Sequence, residues 1–143
     1  MSLFTGQSRE QLRRMYSEAW RKYNGRQPLE PLEAQVAAVI AEHPEYMPLL
    51  ESGPEALSAD YTPQGGRENP FLHMGLHLAI REQVATDRPA GIAQIHRSLS
   101  KRFGDPHAAE HAMLESLAET LWDSQRCARA PDEQRYLERL RAL

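Results

Sequence analysis

Five of the six histidines in this 143-residue chain fall in three short stretches, and their spacing is typical of metal ligands. His73 and His77 are four residues apart, as are His107 and His111, while His43 stands before a proline. Side chains four apart on an α-helix share one face at about 5–6 Å from each other, so two imidazoles can bind one ion. The pattern therefore indicates a histidine-rich metal site built on helices.

The predicted ligand set combines side chains from both histidine-rich segments. We expect one ion to be bound by His73, His77 and His111, with His43 or Glu119 completing the shell. Inward-facing residues of neighbouring helices build such sites in helical bundles. An imidazole and carboxylate set suits Zn, Fe, Mn, Ni or Cu equally, so the prediction is a divalent transition metal. An open coordination position could make the protein a hydrolytic or redox enzyme.

A second interpretation of the same histidines needs no metal. Burying an imidazole without a hydrogen-bond partner costs roughly 1–3 kcal/mol, so His73 and His77 require a metal, an acid such as Glu119, or water. If hydrogen bonds alone serve them, the protein is a helical interaction module that binds a protein partner or a second copy of itself. The zinc-protease motif His-Glu-x-x-His is absent, and both interpretations therefore stay open.

Composition excludes several other classes of protein. The 17 basic and 20 acidic side chains are interspersed, for a net charge of −3, whereas nucleic-acid binding requires clustered cations. No apolar stretch reaches the roughly 18 uncharged residues of a membrane span, and no signal peptide is evident. Cys127 is the single cysteine and has no partner for a disulfide or a thiolate site. We expect a cytoplasmic protein that binds neither membranes nor nucleic acid.

Helical periodicity and capping signals run along nearly the whole chain. Asn69-Pro70 and Asp105-Pro106 each combine an N-cap residue with a first-turn proline, and Gly104 is typical of a helix C-terminus. No segment alternates apolar and polar residues as strands do. We therefore predict an all-α protein, a single-domain helical bundle over residues 1–143 with about six helices. Its centre is formed by a 69–87 helix and a 106–127 helix, with the histidine site between them.

The apolar faces of these helices give a predicted core. On the 69–87 helix, Leu76, Ile80 and Val84 share the face of the two histidines. The opposite side is also apolar, which indicates a helix covered on most sides. Other residues expected to point inward include Tyr23, Phe103 and Trp122.

Four motifs give the chain a resemblance to a known family. They are HPEY (43–46), GGRENPFLHMGLHLAIREQ (65–83), RPAGI (88–92) and AEHAMLESLAETLWDSQR (109–126). The sequence resembles a bacterial family of short proteins described as a domain of unknown function, over nearly its whole length. The resemblance implies no activity. It does imply that His43, His73, His77 and His111 match histidines of the family pattern, which favours these four over His107.

Overall fold

The computed structural model describes residues 9–51 and 69–143, and these residues are all-α, as predicted. Seven α-helices occupy them: α1 (Arg9–Asn24), α2 (Pro31–Ala41), α3 (Met47–Glu51), α4 (Pro70–Thr86), α5 (Ile92–Phe103), α6 (Pro106–Arg126) and α7 (Glu133–Arg141). A 3₁₀ turn, Pro44–Tyr46, joins α2 to α3. The count is one higher than the sequence indicated. A predicted N-cap at Ser8 and a predicted loop over 53–66 lie outside the described residues.

The chain divides into two compact units, with the boundary between Leu78 and Ala79 inside α4. The first unit contains α1, α2, α3 and the beginning of α4. The second contains the end of α4 together with α5, α6 and α7. The single domain expected over residues 1–143 stays a prediction.

The helices that carry histidine pairs begin at the predicted caps. Asn69 Oδ1 accepts hydrogen bonds from the backbone N–H groups of Phe71 at 3.0 Å and Leu72 at 3.2 Å. Asp105 Oδ2 accepts from Ala108 N–H at 3.2 Å. Each carboxylate or amide oxygen satisfies first-turn donors that have no partner within the helix, so the starts of α4 and α6 are locally determined.

Both ends of α5 use glycine in the left-handed region of backbone space. Gly91 precedes the helix with φ +100° and Gly104 ends it with φ +75°, conformations that a side chain would strain. The first turn of α5 is capped by Asp87, whose Oδ1 accepts from the N–H groups of Gly91 and Ala93, both at 3.0 Å. Local chemistry therefore sets the length of this helix.

The core of the first unit packs α1 and α2 around the start of α4. Its buried apolar residues are Tyr16, Ala19, Trp20, Val36, Val39, Ile40, Leu50, Phe71, Met74 and Leu78. The rings of Tyr16 and Phe71 meet edge to face at 5.7 Å. A Cβ atom on Gly75 would lie 3.6 Å from Tyr16 Oη. The α1 helix therefore passes close to α4 at the residue midway between its two histidines.

The second unit has its own core and a set of buried polar pairs. Buried apolar residues come from all four of its helical segments, among them Ile80, Ile92, Met113, Leu117 and Leu140. Tyr136 Oη donates to Gln83 Oε1 at 2.7 Å, and Arg81 Nε donates to the buried Glu110 at 2.9 Å. Burial raises the pKa of Tyr136 well above its usual range, so the phenol stays a neutral donor.

Three residues expected in the core are exposed instead. Tyr23, Phe103 and Trp122 are 48%, 47% and 59% accessible. Each lies within the last five residues of its helix, and helical periodicity gives the direction of a side chain but not whether another helix extends far enough to cover it. Trp122 is covered on one side by the guanidinium of Arg126, 4.5 Å from the ring centre. Among the described helices, none has the length and apolar character that crossing a membrane requires.

Candidate metal centre

The α4 helix places His73 and His77 on one face, as their spacing predicts. Their ring centres are 5.0 Å apart. His77 has no accessible surface, and His73 is half-buried. Two imidazoles therefore occupy adjacent turns of one helix within reach of a common ligand.

His43 joins this pair from a distant part of the sequence. It ends α2 and precedes the 3₁₀ turn, where Pro44 stops the α-helix. Only 1% of His43 is accessible, and its ring centre lies 4.9 Å from His73 and 4.8 Å from His77. The three rings thus form a nearly equilateral triangle, which we call the histidine triad.

Hydrogen bonds assign protons within the triad. His43 Nδ1 lies 2.7 Å from the carbonyl oxygen of Val39, and because a carbonyl only accepts, Nδ1–H is the donor. In the neutral ring, His43 Nε2 then carries a lone pair. His73 Nε2 lies 3.1 Å from that atom and donates its proton to it. The His43 tautomer is therefore the one in which Nε2 can bind an electrophile.

The spacing of these nitrogens is close to that of two ligands on one ion. Metal–nitrogen bonds of 2.0–2.1 Å at a tetrahedral angle place two nitrogens about 3.3–3.4 Å apart. The 3.1 Å between His43 Nε2 and His73 Nε2 would have to widen by only about 0.3 Å. One ring nitrogen of His77 lies within 4.8 Å of one of His43. A bond from the far ring nitrogen to a backbone carbonyl is also typical of metal-binding histidines.

Tyr46 packs directly against the triad and was missed by the sequence analysis. Its ring stacks on His43 with centres 5.4 Å apart and planes only 6° from parallel, and it lies 6.0 Å from His73. The HPEY motif could have indicated this contact between Tyr46 and His43, because the side chains of residues three apart align on a 3₁₀ turn. Tyr46 and Val39 together hold the plane of the His43 ring.

The remaining predicted ligands lie in the second unit. His111 is exposed and pairs with His107 on the first turns of α6, with ring centres 4.3 Å apart. The Glu119 side chain is 62% accessible and lies 3.5 Å from the guanidinium of Arg139. The participation of His111 and Glu119 in one site with His73 and His77 stays a prediction.

The Arg139 guanidinium has a second and closer carboxylate partner. Its Nη2 donates to Asp123 at 2.6 Å, while Nη1 donates to the hydroxyl of Thr120 at 2.9 Å. The bond from Arg139 holds the pKa of Asp123 below its usual range. These contacts attach α7 to α6 around Arg139.

The fold and the triad define an all-α protein with a cluster of three imidazoles, two of them buried and one half-buried. Residues 8–142 match the protein family described as a domain of unknown function, DUF1841, and the chain belongs to that family. The predicted membership in a family of unknown function is thereby confirmed. Comparisons with curated proteins and with solved structures gave no match.

Proposed function

We propose that this protein binds a divalent transition metal ion through His43, His73 and His77. The observation that carries the proposal is the 3.1 Å separation of His43 Nε2 and His73 Nε2, with the ring of His77 within 5.0 Å of both others. An ion would replace the proton that the first two nitrogens share. Zn, Fe, Mn, Ni and Cu all accept imidazole ligands.

The surroundings of the triad support binding of a cation. Two of the three rings are almost fully buried, which limits competition from bulk water for the ring nitrogens. The Val39 carbonyl makes the His43 ring a better electron donor. Three imidazoles are a donor set of catalytic zinc sites, in which a fourth position holds water. A water bound there would have its pKa lowered to about 7, so a hydrolytic activity is the reaction class to assay first. The sequence adds His111 and Glu119 as candidate further ligands.

Metal content of the purified protein tests this proposal. The chain is produced without an affinity tag and its metals are measured by mass spectrometry, beside His73→Ala, His77→Ala and the control His96→Ala on α5. We expect wild type and the control to retain one ion per chain. His73→Ala and His77→Ala should each lose the ion. The double variant His73→Ala/His77→Ala should bind no less metal than either single variant, because ligands of one ion act as a unit.

Further variants measure the contribution of the second unit. A loss of metal in His111→Ala or Glu119→Ala, with helical content unchanged, would extend the ligand set as the sequence predicts. Wild-type protein that neither retains nor takes up any of the five ions would refute metal binding.

The second candidate function is a metal-free interaction module. The favouring observation is that two of the three rings form hydrogen bonds that need no ion, from His73 Nε2–H to His43 Nε2 and from His43 Nδ1–H to the Val39 carbonyl. In that case the triad would serve fold specificity, and a helical surface would bind a protein partner or a second copy of the chain. Triad substitutions would then lower stability equally with and without metal. The single cysteine supports a cytoplasmic location for either function.

A further inference from the structure

The second unit carries a groove that no histidine lines. It runs along α5 beside the C-terminal end of α7 and has a volume of about 340 Å³. Its floor is apolar, formed by Ile95, Leu99 and Leu140. Gln94 and Ser98 line it with an amide and a hydroxyl, both from exposed positions on α5. The groove therefore offers apolar contact along its length and hydrogen bonding at its edge.

Two arginines lie toward opposite ends of this groove. Arg141 places a guanidinium nitrogen 3.7 Å from where a Cβ atom on Gly91 would be, at the start of α5. Arg102 is in the last turn of the same helix. Because each helical residue adds 1.5 Å, Gly91 and Arg102 are separated by about 16 Å along the helix. The positive charges are thus spread over the length of the groove.

Among the described residues, these two arginines lack the carboxylate partner that three other arginines of the second unit have. Arg81, Arg126 and Arg139 each form an ion pair with a carboxylate. Within residues 9–51 and 69–143, Arg102 and Arg141 have no such pair, and no acidic side chain lines the groove. Asp87 belongs to the same end of α5 as Gly91, but its carboxylate binds two backbone N–H groups there. The groove is therefore locally positive on a chain whose net charge is −3.

We propose that this groove binds an extended acidic segment of a partner protein. Two carboxylates of the segment would pair with Arg141 and Arg102, and the apolar side chains between them would cover Ile95, Leu99 and Leu140. An extended chain rises about 3.3 Å per residue, so about five residues would join the two cations.

Binding of synthetic peptides, measured by fluorescence anisotropy, tests this assignment. The probes are labelled peptides with two glutamates separated by one to eight alternating leucine and threonine residues, and the same peptides with glutamine in place of glutamate. We expect the tightest binding with about four intervening residues, and a loss of about tenfold in the glutamine series. Raising the salt from about 50 mM to about 500 mM should weaken binding, because exposed charges are screened.

Matched variants connect the binding to the groove. Arg102→Ala and Arg141→Ala should each weaken binding by about threefold, as expected for an exposed ion pair. Arg97→Ala removes an exposed cation of α5 that does not line the groove, and it should bind as wild type does. Because all three side chains are exposed, melting temperatures should stay unchanged, which separates loss of binding from loss of fold.

Three results would overturn the proposal. The first is no binding below millimolar concentration by any peptide of the series. The second is equal binding by wild type and by the double variant Arg102→Ala/Arg141→Ala. The third is displacement of the peptide by inorganic phosphate, by succinate or by a short oligonucleotide at concentrations comparable to its own, which would make the groove a general anion site.

Discussion

Substitution of His73 by alanine should separate the metal-bound centre from a metal-free hydrogen-bonded cluster. In the apo protein this change removes the hydrogen bond from His73 Nε2–H to His43 Nε2 and the ring contacts with His77 and Tyr46, at a half-buried position. Such a bond contributes about 1 kcal/mol to folding, which corresponds to a fall of about 4 °C in melting temperature for a chain of this size. The apo variant should therefore remain folded.

The rise in melting temperature that added metal causes in wild type should be much larger than the fall that His73→Ala causes in the apo protein. An ion that binds only the folded state, supplied at a hundred times its dissociation constant, stabilises by about 2.7 kcal/mol. The wild-type melting temperature should then rise by about 10 °C. His73→Ala should lose this rise entirely at the same metal concentration, because it removes one of the ligands.

The assay is a melt followed by circular dichroism at 222 nm, with EDTA or with each of Zn, Fe, Mn, Ni and Cu in turn. His96→Ala is the control and should respond to metal as wild type does. His43→Ala should melt lower than His73→Ala even without metal, since it also loses the bond to Val39 and the contact with Tyr46. A wild-type melt that is the same in EDTA and in all five metals would refute the reasoning.

Three further predictions follow from contacts outside the triad. Gly75→Ala should stabilise the protein by about 0.5–1 kcal/mol in urea unfolding, because its Cβ would meet Tyr16 Oη at an ordinary 3.6 Å while alanine favours the helix. Asp105→Ala should destabilise by about 1 kcal/mol, since it removes the cap of α6. Asp123→Asn should lower the urea midpoint at pH 6, and this effect should shrink progressively as pH falls below about 4. Arg139 stabilises the ionised carboxylate and lowers its pKa, so the contribution is fully present above the unfolded-state pKa of about 3.9 and is lost as pH falls through the lower pKa of the folded state.

Each of these predictions has an outcome that would contradict it. Destabilisation by Gly75→Ala would mean that α1 has less room over α4 than the 3.6 Å distance indicates. If Asp105→Ala has the same urea midpoint as wild type, Pro106 alone determines where α6 begins. If the urea midpoints of wild type and Asp123→Asn differ by the same amount from pH 6 to pH 3, the charged hydrogen bond to Arg139 is not the cause of that difference.

The helix boundaries could be predicted because their signals are local. Asn69 and Asp105 bind amides no more than three residues away, and Gly104 takes up its left-handed conformation within one residue of the helix end. None of these interactions depends on which segments meet later in folding. A single sequence therefore contains the information that starts α4 and α6 and ends α5.

Burial near helix ends could not be predicted in this way. A helical wheel gives the direction in which Phe103 and Trp122 point, but it does not give the length of the helix packed on that side. The sequence likewise left open whether His43 or Glu119 completes the ligand set, because the partner of His43, His73, lies 30 residues further along the chain. Tyr46 was missed because a 3₁₀ turn aligns it with His43, and a search for α-helical spacing does not detect such a turn.

The contact of His43 with Val39 has a consequence for the size of ion that the proposed centre accepts. The ring is held by the last turn of α2 on one side and by Tyr46 on its face, so the gap from Nε2 to His73 has little freedom to widen. Ions with bonds of 2.0–2.1 Å need a gap of about 3.3–3.4 Å. In a six-coordinate site with right angles between ligands, the same short bonds need about 2.8–3.0 Å, whereas the bonds of Ca²⁺, about 2.4 Å long, need about 3.4 Å. The 3.1 Å between His43 Nε2 and His73 Nε2 lies within the range for short bonds and below the value for Ca²⁺. The position in which α2 and Tyr46 hold His43 therefore favours ions with short bonds to nitrogen, before any preference of imidazole for one element over another comes into effect.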